Sequence, residues 1–245
     1  FTITVNPTPQ VNAVTSQTVA AGTSTTAINF TTNNTGGTTT YAWTNNNTAI
    51  GLGASGTGSS IPAFTATNTG TAPITATITV TPTYTNGGVS TQGTPITFTI
   101  TVNPVAQVTQ PLNQVLSNGQ STAAVTFATV NTGGTTTYAW TNNTTSIGLA
   151  ASGSGNIAAF TAINTGTAPV VATITVTPTY SNAGLSADGP SKTFTITVNP
   201  TPQMNQPASQ VVSNGQSTTA VNFTTNNTGG TTTYAWTNNT TSIGL

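Results

Sequence analysis

A thirteen-residue segment, NTGGTTTYAWTNN, occurs three times without a change, at residues 34–46, 131–143 and 227–239. A second motif, FTITVNP, also occurs three times and begins at Phe1, Phe98 and Phe194. Both motifs recur after 97 and then 96 residues. Solenoid repeats are only ~20–50 residues long, whereas a spacing near 97 is the size of one independently folding domain. The repeat therefore predicts a string of separate domains.

The motif spacing sets the boundaries of the predicted domains. We predict complete repeats at residues 8–104 and 105–200, preceded by the last strand of another repeat at 1–7 and followed by the first half of a third repeat at 201–245. The missing residue of the second repeat lies opposite residues 53–62, a stretch typical of a surface loop. Because the chain begins with Phe1 rather than Met, we interpret it as a processed chain or a fragment.

Alternation of apolar and polar residues indicates strands rather than helices. In FTITV, Phe1, Ile3 and Val5 share one face and threonines occupy the other, which is the pattern of a half-buried antiparallel strand. Asn-Gly and Gly-Gly pairs between such segments favour hairpin turns. Strands are predicted in the first repeat at residues 10–19, 26–32, 38–45, 49–52, 61–67, 74–85 and 96–103. The predicted fold class is all-β, with seven-stranded immunoglobulin-like sandwiches in tandem.

Each copy of the thirteen-residue segment places a Tyr and a Trp two residues apart on the predicted third strand. A Trp at this position is often the central core residue of an immunoglobulin-like sandwich. The predicted structural core residues are Trp43, Trp140 and Trp236 with Tyr41, Tyr138 and Tyr234. An exposed aromatic platform for a sugar remains the alternative, although a buried Trp explains the strict alternation behind it better.

The near absence of charge excludes several functions. Asp188 and Lys192 are the only formally charged side chains in 245 residues, and there is no His or Cys. Nucleic-acid binding needs clustered cations, calcium sites need several carboxylates, and zinc sites need Cys or His. Paired-carboxylate and triad catalysis lack their residues as well. We predict no catalytic residue, cofactor, metal or nucleic-acid partner, and no membrane insertion, because no apolar run reaches eighteen residues.

Three minor features have simple interpretations. Asp188 and Lys192 are interpreted as a neutral loop pair rather than part of an isopeptide crosslink, because Gln92 and Ile96 replace them in the first repeat. The Asn-x-Thr sequons are expected from an Asn- and Thr-rich composition, with glycan attachment as the alternative. Rows of Thr raise an ice-binding alternative, but a twisted sandwich presents such rows poorly.

Short proline-containing linkers join the predicted domains. VNPTPQ occurs at residues 5–10 and 198–203, and VNPVAQ occurs at 102–107. Proline restricts the backbone and stiffens a linker toward extended geometry. The predicted linker residues are Pro7, Pro9, Pro104, Pro200 and Pro202. We therefore expect a semi-rigid rod with limited bending at each joint.

Two segments carry a resemblance to a known family. TTTYAWTNNNTAIGL at residues 38–52 resembles the third strand of PKD-type and PKD-like domains. ITATITVTPTYTNGG and GTPITFTITVNPTP resemble the last strands and linker of PKD-like repeats in giant secreted proteins of Bacteroidota. The resemblance implies an immunoglobulin-like fold in the stalk of a cell-surface adhesin exported by the type IX system. Residues 44–47 occupy the place of the acidic Gly-Asp turn that is common in PKD domains, so no acidic site carries over. Residues 90–92 and 186–188 occupy the region where PKD-like repeats often have a Cys, so no disulfide carries over.

The leading hypothesis is a non-catalytic stalk or filament segment of an extracellular bacterial surface adhesin. Its partners would be neighbouring repeats of the same chain and other copies in a fibre. Two alternatives remain open. One is a module that binds surface polysaccharide through exposed aromatics. The other is a fibre of short subunits, because low net charge favours association.

Overall fold

The computed structural model describes residues 1–244. The described part of the first repeat contains eight strands: β1 (Gln17–Ala20), β2 (Ile28–Asn29), β3 (Thr38–Asn45), β4 (Ser55–Thr57), β5 (Ser60–Ile61), β6 (Ile74–Asn86), β7 (Val89–Gln92) and β8 (Ile96–Asn103). The second repeat contributes β9 (Gln114–Ser117), β10 (Thr135–Asn142), β11 (Ser152–Ser154), β12 (Val170–Asn182), β13 (Leu185–Asp188) and β14 (Lys192–Asn199). Short 3₁₀ helices occur at Thr48–Ile50, Thr145–Ile147 and Thr241–Ile243.

The two complete repeats build the same main sheet. In the first repeat its order is β1-β8-β6-β3-β4, with β7 paired to β6. In the second repeat its order is β9-β14-β12-β10-β11, with β13 paired to β12. Strand β1 runs parallel to β8, and β9 runs parallel to β14. The other strand pairs with a described register are antiparallel. The all-β, immunoglobulin-like prediction is confirmed.

The core of the first repeat lies between this sheet and a thinner second layer. Strands β2 and β5 form a short antiparallel pair in that layer, and an isolated bridge joins Ser24 to Thr65. Buried and partly exposed residues alternate along β6, so that its apolar side chains enter the core and its threonines face outward. The buried cluster contains both predicted aromatics of the first repeat, Tyr41 and Trp43, together with Ile28, Phe30, Ile78 and Val80.

Several segments differ from the strand prediction. Residues 10–19 form a strand only at Gln17–Ala20, residues 26–32 only at Ile28–Asn29, and the strand at Ser55–Thr57 was not predicted. Residues 49–52 were expected to form a strand, but Thr48–Ile50 is a 3₁₀ helix. The Asn47 side chain caps it by accepting a hydrogen bond from the Ala49 N–H, and Gly51 ends it with a φ of 95°. Residues 61–67 were expected to form a strand, but strand pairing ends at Ile61. Beyond it, only Thr65 pairs, in an isolated bridge with Ser24.

A further difference is a hairpin between β6 and β7 that the strand prediction missed. Gly87 and Gly88 have φ angles of 58° and 79°, which the tight turn requires. The hairpin pairs Asn86 with Val89 and Thr83 with Gln92. All four residues of β7 are exposed, so β7 lacks the apolar alternation that signals a half-buried strand.

Internal contacts divide the chain into two compact units. The first contains Phe1–Thr109, Ala128–Tyr138 and Thr177–Ser191, and the second contains Gln110–Phe127, Ala139–Val176 and Lys192–Leu245. The division passes through the second repeat. Thr71, Asn131 and Thr132 all lie in the first unit, and Thr167, Asn227 and Thr228 all lie in the second. From residue 200 to 244 the described chain has one 3₁₀ helix and no strand, and Leu245 lies outside the described residues.

Candidate functional site

In the first repeat, Trp43 rests on a glycine of the neighbouring strand. Trp43 is 8% exposed and pairs with Val80 on β6 and Gly56 on β4. A Cβ at Gly56 would lie 2.5 Å from Cζ2 and 2.7 Å from Cε2 of the indole. Tyr41 is also buried, and its ring lies 5.6 Å from that of Phe30. The aromatic pair is thus enclosed by the sandwich.

The second repeat repeats this arrangement. Trp140 is buried, Tyr138 is half-buried, and a Cβ at Gly153 would lie 2.3 Å from Cζ2 of Trp140. The indole Nε1 of Trp140 is buried, with no hydrogen-bond partner among residues 1–244. An indole held against a glycine backbone cannot serve as a stacking surface on that face.

The third Trp has a different environment. Trp236 is 61% exposed and Tyr234 is half-buried, stacked on Phe223 with ring centroids 5.7 Å apart. Trp236, Phe223, Val221 and Ile243 line a shallow groove. In the first repeat Trp43 pairs with Val80 on β6, and the 245-residue sequence holds no third copy of the β6 segment. A core role for Trp236 and Tyr234 therefore stays a prediction.

The Asn of each NTGG segment forms hydrogen bonds with the linker that precedes it. The amide oxygens of Asn34, Asn131 and Asn227 accept backbone N–H bonds from Gln10, Gln107 and Gln203 at 2.8, 2.7 and 2.6 Å. Their amide nitrogens donate to the backbone oxygens of Thr8, Val105 and Thr201 at 3.0, 3.1 and 3.2 Å. Sequence reasoning treated NTGG only as a turn, and the recurrence of this Asn was the available signal for its second role.

The same segment also contacts the preceding repeat. At the first junction the backbone N–H of Thr132 donates to the Thr71 oxygen at 2.9 Å, and Nδ2 of Asn131 lies 3.4 Å from the same oxygen. At the second junction Thr228 donates to Thr167 at 2.9 Å, and Nδ2 of Asn227 lies 3.4 Å from that oxygen. The two junctions therefore use equivalent atoms at equal distances.

The predicted linker prolines occupy different environments. Pro9 and Pro104 are buried, Pro200 is half-buried, and Pro7 and Pro202 are exposed. Glycines lie directly against the linkers, since a Cβ at Gly93 or Gly189 would overlap the backbone of Pro9 or Ala106. Hairpin asparagines bind the linkers as well: Asn86 donates to Asn6 at 3.0 Å, and Asn182 donates to Asn103 at 2.9 Å.

In each of the two complete repeats, a buried tyrosine supports the NTGG turn from inside the same repeat. The hydroxyl of Tyr84 donates to the Thr35 oxygen at 2.8 Å, and that of Tyr180 donates to the Thr132 oxygen at 2.9 Å. A Cβ at Gly37 or Gly134 would lie 2.6 Å from Cζ of the corresponding ring. The second glycine of NTGG is therefore required by the tyrosine beneath it.

Replacing Tyr84 with Phe should lower the free energy of unfolding of the first repeat by about 1–3 kcal/mol, because the Thr35 oxygen loses its buried donor. Thermal melting followed by circular dichroism measures the change. Tyr41→Phe is the matched control, because no hydrogen bond of the Tyr41 hydroxyl occurs within residues 1–244. Equal losses in the two variants would contradict the role of the Tyr84 hydroxyl.

The two charged side chains lie at strand ends rather than in a loop. Asp188 ends β13 and accepts a 2.6 Å hydrogen bond from Thr179 Oγ1, and Lys192 begins β14. Both side chains are exposed. Within residues 1–244 no cluster of three His, Cys, Asp or Glu residues occurs, and no helix is long and apolar enough to cross a bilayer.

Titration of buried tyrosines sets the expected pH dependence of stability. Burial raises the pKa of Tyr41, Tyr138 and Tyr180 above 10.0. A raised folded-state pKa gives stability that is present below the unfolded pKa and is lost as pH rises through the folded one. We expect a melting temperature that is nearly constant from about pH 3 to 9 and falls above about pH 10. A sharp acid transition in a thermal melting series would contradict this expectation.

No protein-family model and no curated protein matches the chain. Similar solved structures include Drosophila N-cadherin EC1-4, at 14% identity and a TM-score of 0.42 over 80% of this chain. This chain spans 50% of that one. Human protocadherin-24 EC1-2 is 14% identical, with a TM-score of 0.40 over 81% of this chain and 100% of that one.

A third similar structure is a SusE-like surface-located polysaccharide-binding protein from the Bacteroides thetaiotaomicron heparin utilisation locus. It is 13% identical, with a TM-score of 0.25 over 78% of this chain and 34% of that one. Because every one of these TM-scores is below 0.5, the fold assignment rests on the sheet order described above. That order defines a protein of immunoglobulin-like β-sandwiches.

Proposed function

We propose that the chain is a segment of an extracellular stalk or filament, built of tandem immunoglobulin-like repeats, in a bacterial surface adhesin. The observation that supports this most is the recurrence of one set of junction bonds, from Thr71 to Asn131 and Thr132 and from Thr167 to Asn227 and Thr228. A chain that forms the same contact at successive junctions can be lengthened by adding repeats. Length and stiffness are the properties that a stalk requires.

The proposal assigns the repeats to residues 8–104 and 105–200, with residues 1–7 and 201–245 belonging to neighbouring repeats. Each complete repeat would bear load through its own core and pass it on through the junction. Its partners would be neighbouring repeats, and its work would be mechanical rather than catalytic. The resemblance of the strand and linker motifs to PKD-like repeats supports an extracellular location on a bacterial surface.

The mass of the fully denatured parent chain tests this proposal. The native source is treated with hot acid and detergent and analysed on a denaturing gel. A species of hundreds of kilodaltons is expected, because a stalk of this design is one covalent string of repeats. A species near 24 kDa, the mass of this chain, would instead indicate a fibre of short subunits assembled laterally or head to tail.

A second candidate function is polysaccharide binding through exposed aromatic side chains. Trp236 is exposed beside the Phe223–Tyr234 stack, in a part of the chain that has no copy of the β6 segment. Exposed aromatic faces can stack on sugar rings. Titrating soluble polysaccharides while recording Trp fluorescence tests this function. A saturable spectral change that Trp236→Ala abolishes would support it, whereas spectra that no polysaccharide changes would leave the stalk as the better account. Trp43 and Trp140 serve as internal references, because both are buried.

A further inference from the structure

We propose that each repeat carries a preformed polar plug at one end and a matching socket at the other, and that this contact, not linker proline, fixes the joint. The plug is the segment NTGTAP, at residues 68–73 and 164–169. The socket is NTGG, at residues 34–37, 131–134 and 227–230. The proposal concerns the junctions themselves and does not depend on whether the chain forms a stalk.

The plug is organised by a buried asparagine within its own repeat. Nδ2 of Asn68 donates to the oxygens of Ala72 and Val102 at 2.9 and 2.8 Å, and its Oδ1 accepts from the Gly70 N–H at 2.9 Å. Asn164 makes the same three bonds at 2.8, 2.7 and 2.9 Å. These bonds lie within the repeat, so they hold the loop in shape without help from the junction.

The socket is organised just as fully. At the first junction Asn131 holds the linker through Val105 and Gln107, while Tyr180 bonds to the Thr132 oxygen from below. The Thr132 N–H and the Asn131 amide both point to the Thr71 oxygen of the plug. Two donors from a supported turn therefore meet one acceptor from a supported loop.

The first glycine of the socket fits against the proline of the plug. Gly133 has a φ of 74°, and a Cβ there would lie 2.8 Å from Cδ of Pro73. Gly229 has a φ of 73°, and its Cβ would lie 2.9 Å from Cδ of Pro169. Gly36 has the same left-handed backbone, with a φ of 82°, but its Cβ would meet only the Tyr84 hydroxyl, at 3.6 Å. The close approach is therefore a property of the junction and not of the turn.

The linkers of the two junctions differ in sequence, whereas the contacts between plug and socket are the same. The first linker has Val105 and Ala106 where the second has Thr201 and Pro202. The plug-to-socket distances are nevertheless 2.9 and 3.4 Å at both junctions. Proline content therefore does not determine the contact. The socket of the first repeat, Asn34–Thr35–Gly36–Gly37, has the same sequence, and the partner that fits it is the NTGTAP plug of another repeat.

The joint can be tested by measuring the distance between two spin labels on the full chain. Thr97→Cys and Thr193→Cys place labels at equivalent exposed positions of β8 and β14, and the native chain has no Cys to interfere. Pulsed electron resonance gives the width of the distance distribution. Trp fluorescence and a thermal melt verify that each labelled variant is folded.

Matched variants separate the joint from the turn. Gly133→Ala inserts a methyl group between socket and plug, and Gly36→Ala imposes the same backbone strain where no plug is present. Asn131→Ala removes the socket amide. Asn143→Ala is its control, because Asn143 accepts the Thr173 N–H at 2.8 Å within the second repeat, away from the junction. Pro104→Ala tests the contribution of the linker proline.

We expect Gly133→Ala and Asn131→Ala each to broaden the distribution roughly two-fold or more, because domains with a weakened interface move relative to one another. Gly36→Ala, Asn143→Ala and Pro104→Ala should leave the width unchanged. Unchanged widths for both junction variants would overturn the proposal. Equal broadening in the controls, or broadening in Pro104→Ala alone, would overturn it as well.

Discussion

Replacing Trp43 with alanine is expected to lower the free energy of unfolding of the first repeat by about 3–5 kcal/mol, the range for a buried Trp. Trp43 is enclosed by β4 and β6, and the cavity left behind would be bounded by Gly56, which has no side chain to fill it. A domain of this size is stable by only about 5–15 kcal/mol. The variant should therefore leave the first repeat marginally stable. Urea unfolding followed by far-ultraviolet circular dichroism should resolve an early transition for the first repeat.

The sequence provides its own control for this result. Trp236 lies in an identical thirteen-residue segment but is 61% exposed. Trp236→Ala should change the free energy of unfolding by no more than about 0.5 kcal/mol, as for most surface substitutions. If Trp43→Ala were as mild as Trp236→Ala, Trp43 would not be the centre of its repeat.

The second large effect is expected for Gly56→Ala. The added methyl group would lie 2.5 Å from Cζ2 of Trp43, and the rigid indole cannot move without disturbing the core around it. Overpacking of this kind costs about 1–3 kcal/mol, and sometimes more. In open space the same change stabilises a protein by about 0.4–1 kcal/mol, because it restricts the unfolded chain. The sign of the change in unfolding free energy therefore shows whether residue 56 is packed against the indole or faces open space.

Gly53→Ala supplies the open-space reference. Gly53 lies three residues before Gly56, and a Cβ there would meet nothing within 4 Å. Urea unfolding should show destabilisation for Gly56→Ala and little change or a slight gain for Gly53→Ala. A neutral Gly56→Ala variant would show that the indole does not rest on β4.

Repetition and alternation made much of the fold predictable. The alternation along 74–85 and 96–103 predicted β6 and β8 almost to the residue. These strands are long, and they bury one face while threonines cover the other, so burial leaves a clear period of two in the sequence. The aromatic pair on 38–45 was predicted for the same reason.

Short and exposed segments were less predictable. Residues 49–52 are apolar enough to resemble a strand, but the Asn47 cap and Gly51 make Thr48–Ile50 a 3₁₀ helix. Strand β7 has no buried face and therefore no apolar pattern. Two-residue strands such as β2 and β5 depend on tertiary contacts more than on local preference.

The junction was the part least accessible to sequence reasoning. Asn and Gly in NTGG are typical turn residues, and that role alone explains them. Their second role depends on which backbone groups the folded linker and the preceding loop bring near Asn131. Those partners lie 24 to 60 residues away in the chain. No local pattern records a contact over such distances.

The central claim is that each complete repeat folds and bears load as one unit. Pulling a single chain from both ends tests it most directly. Two abrupt unfolding events of equal length are predicted, each releasing about 300 Å of chain, as expected for some 97 residues at about 3.4 Å each minus the folded length. Gradual extension without steps, or one step that releases both repeats together, would contradict the claim.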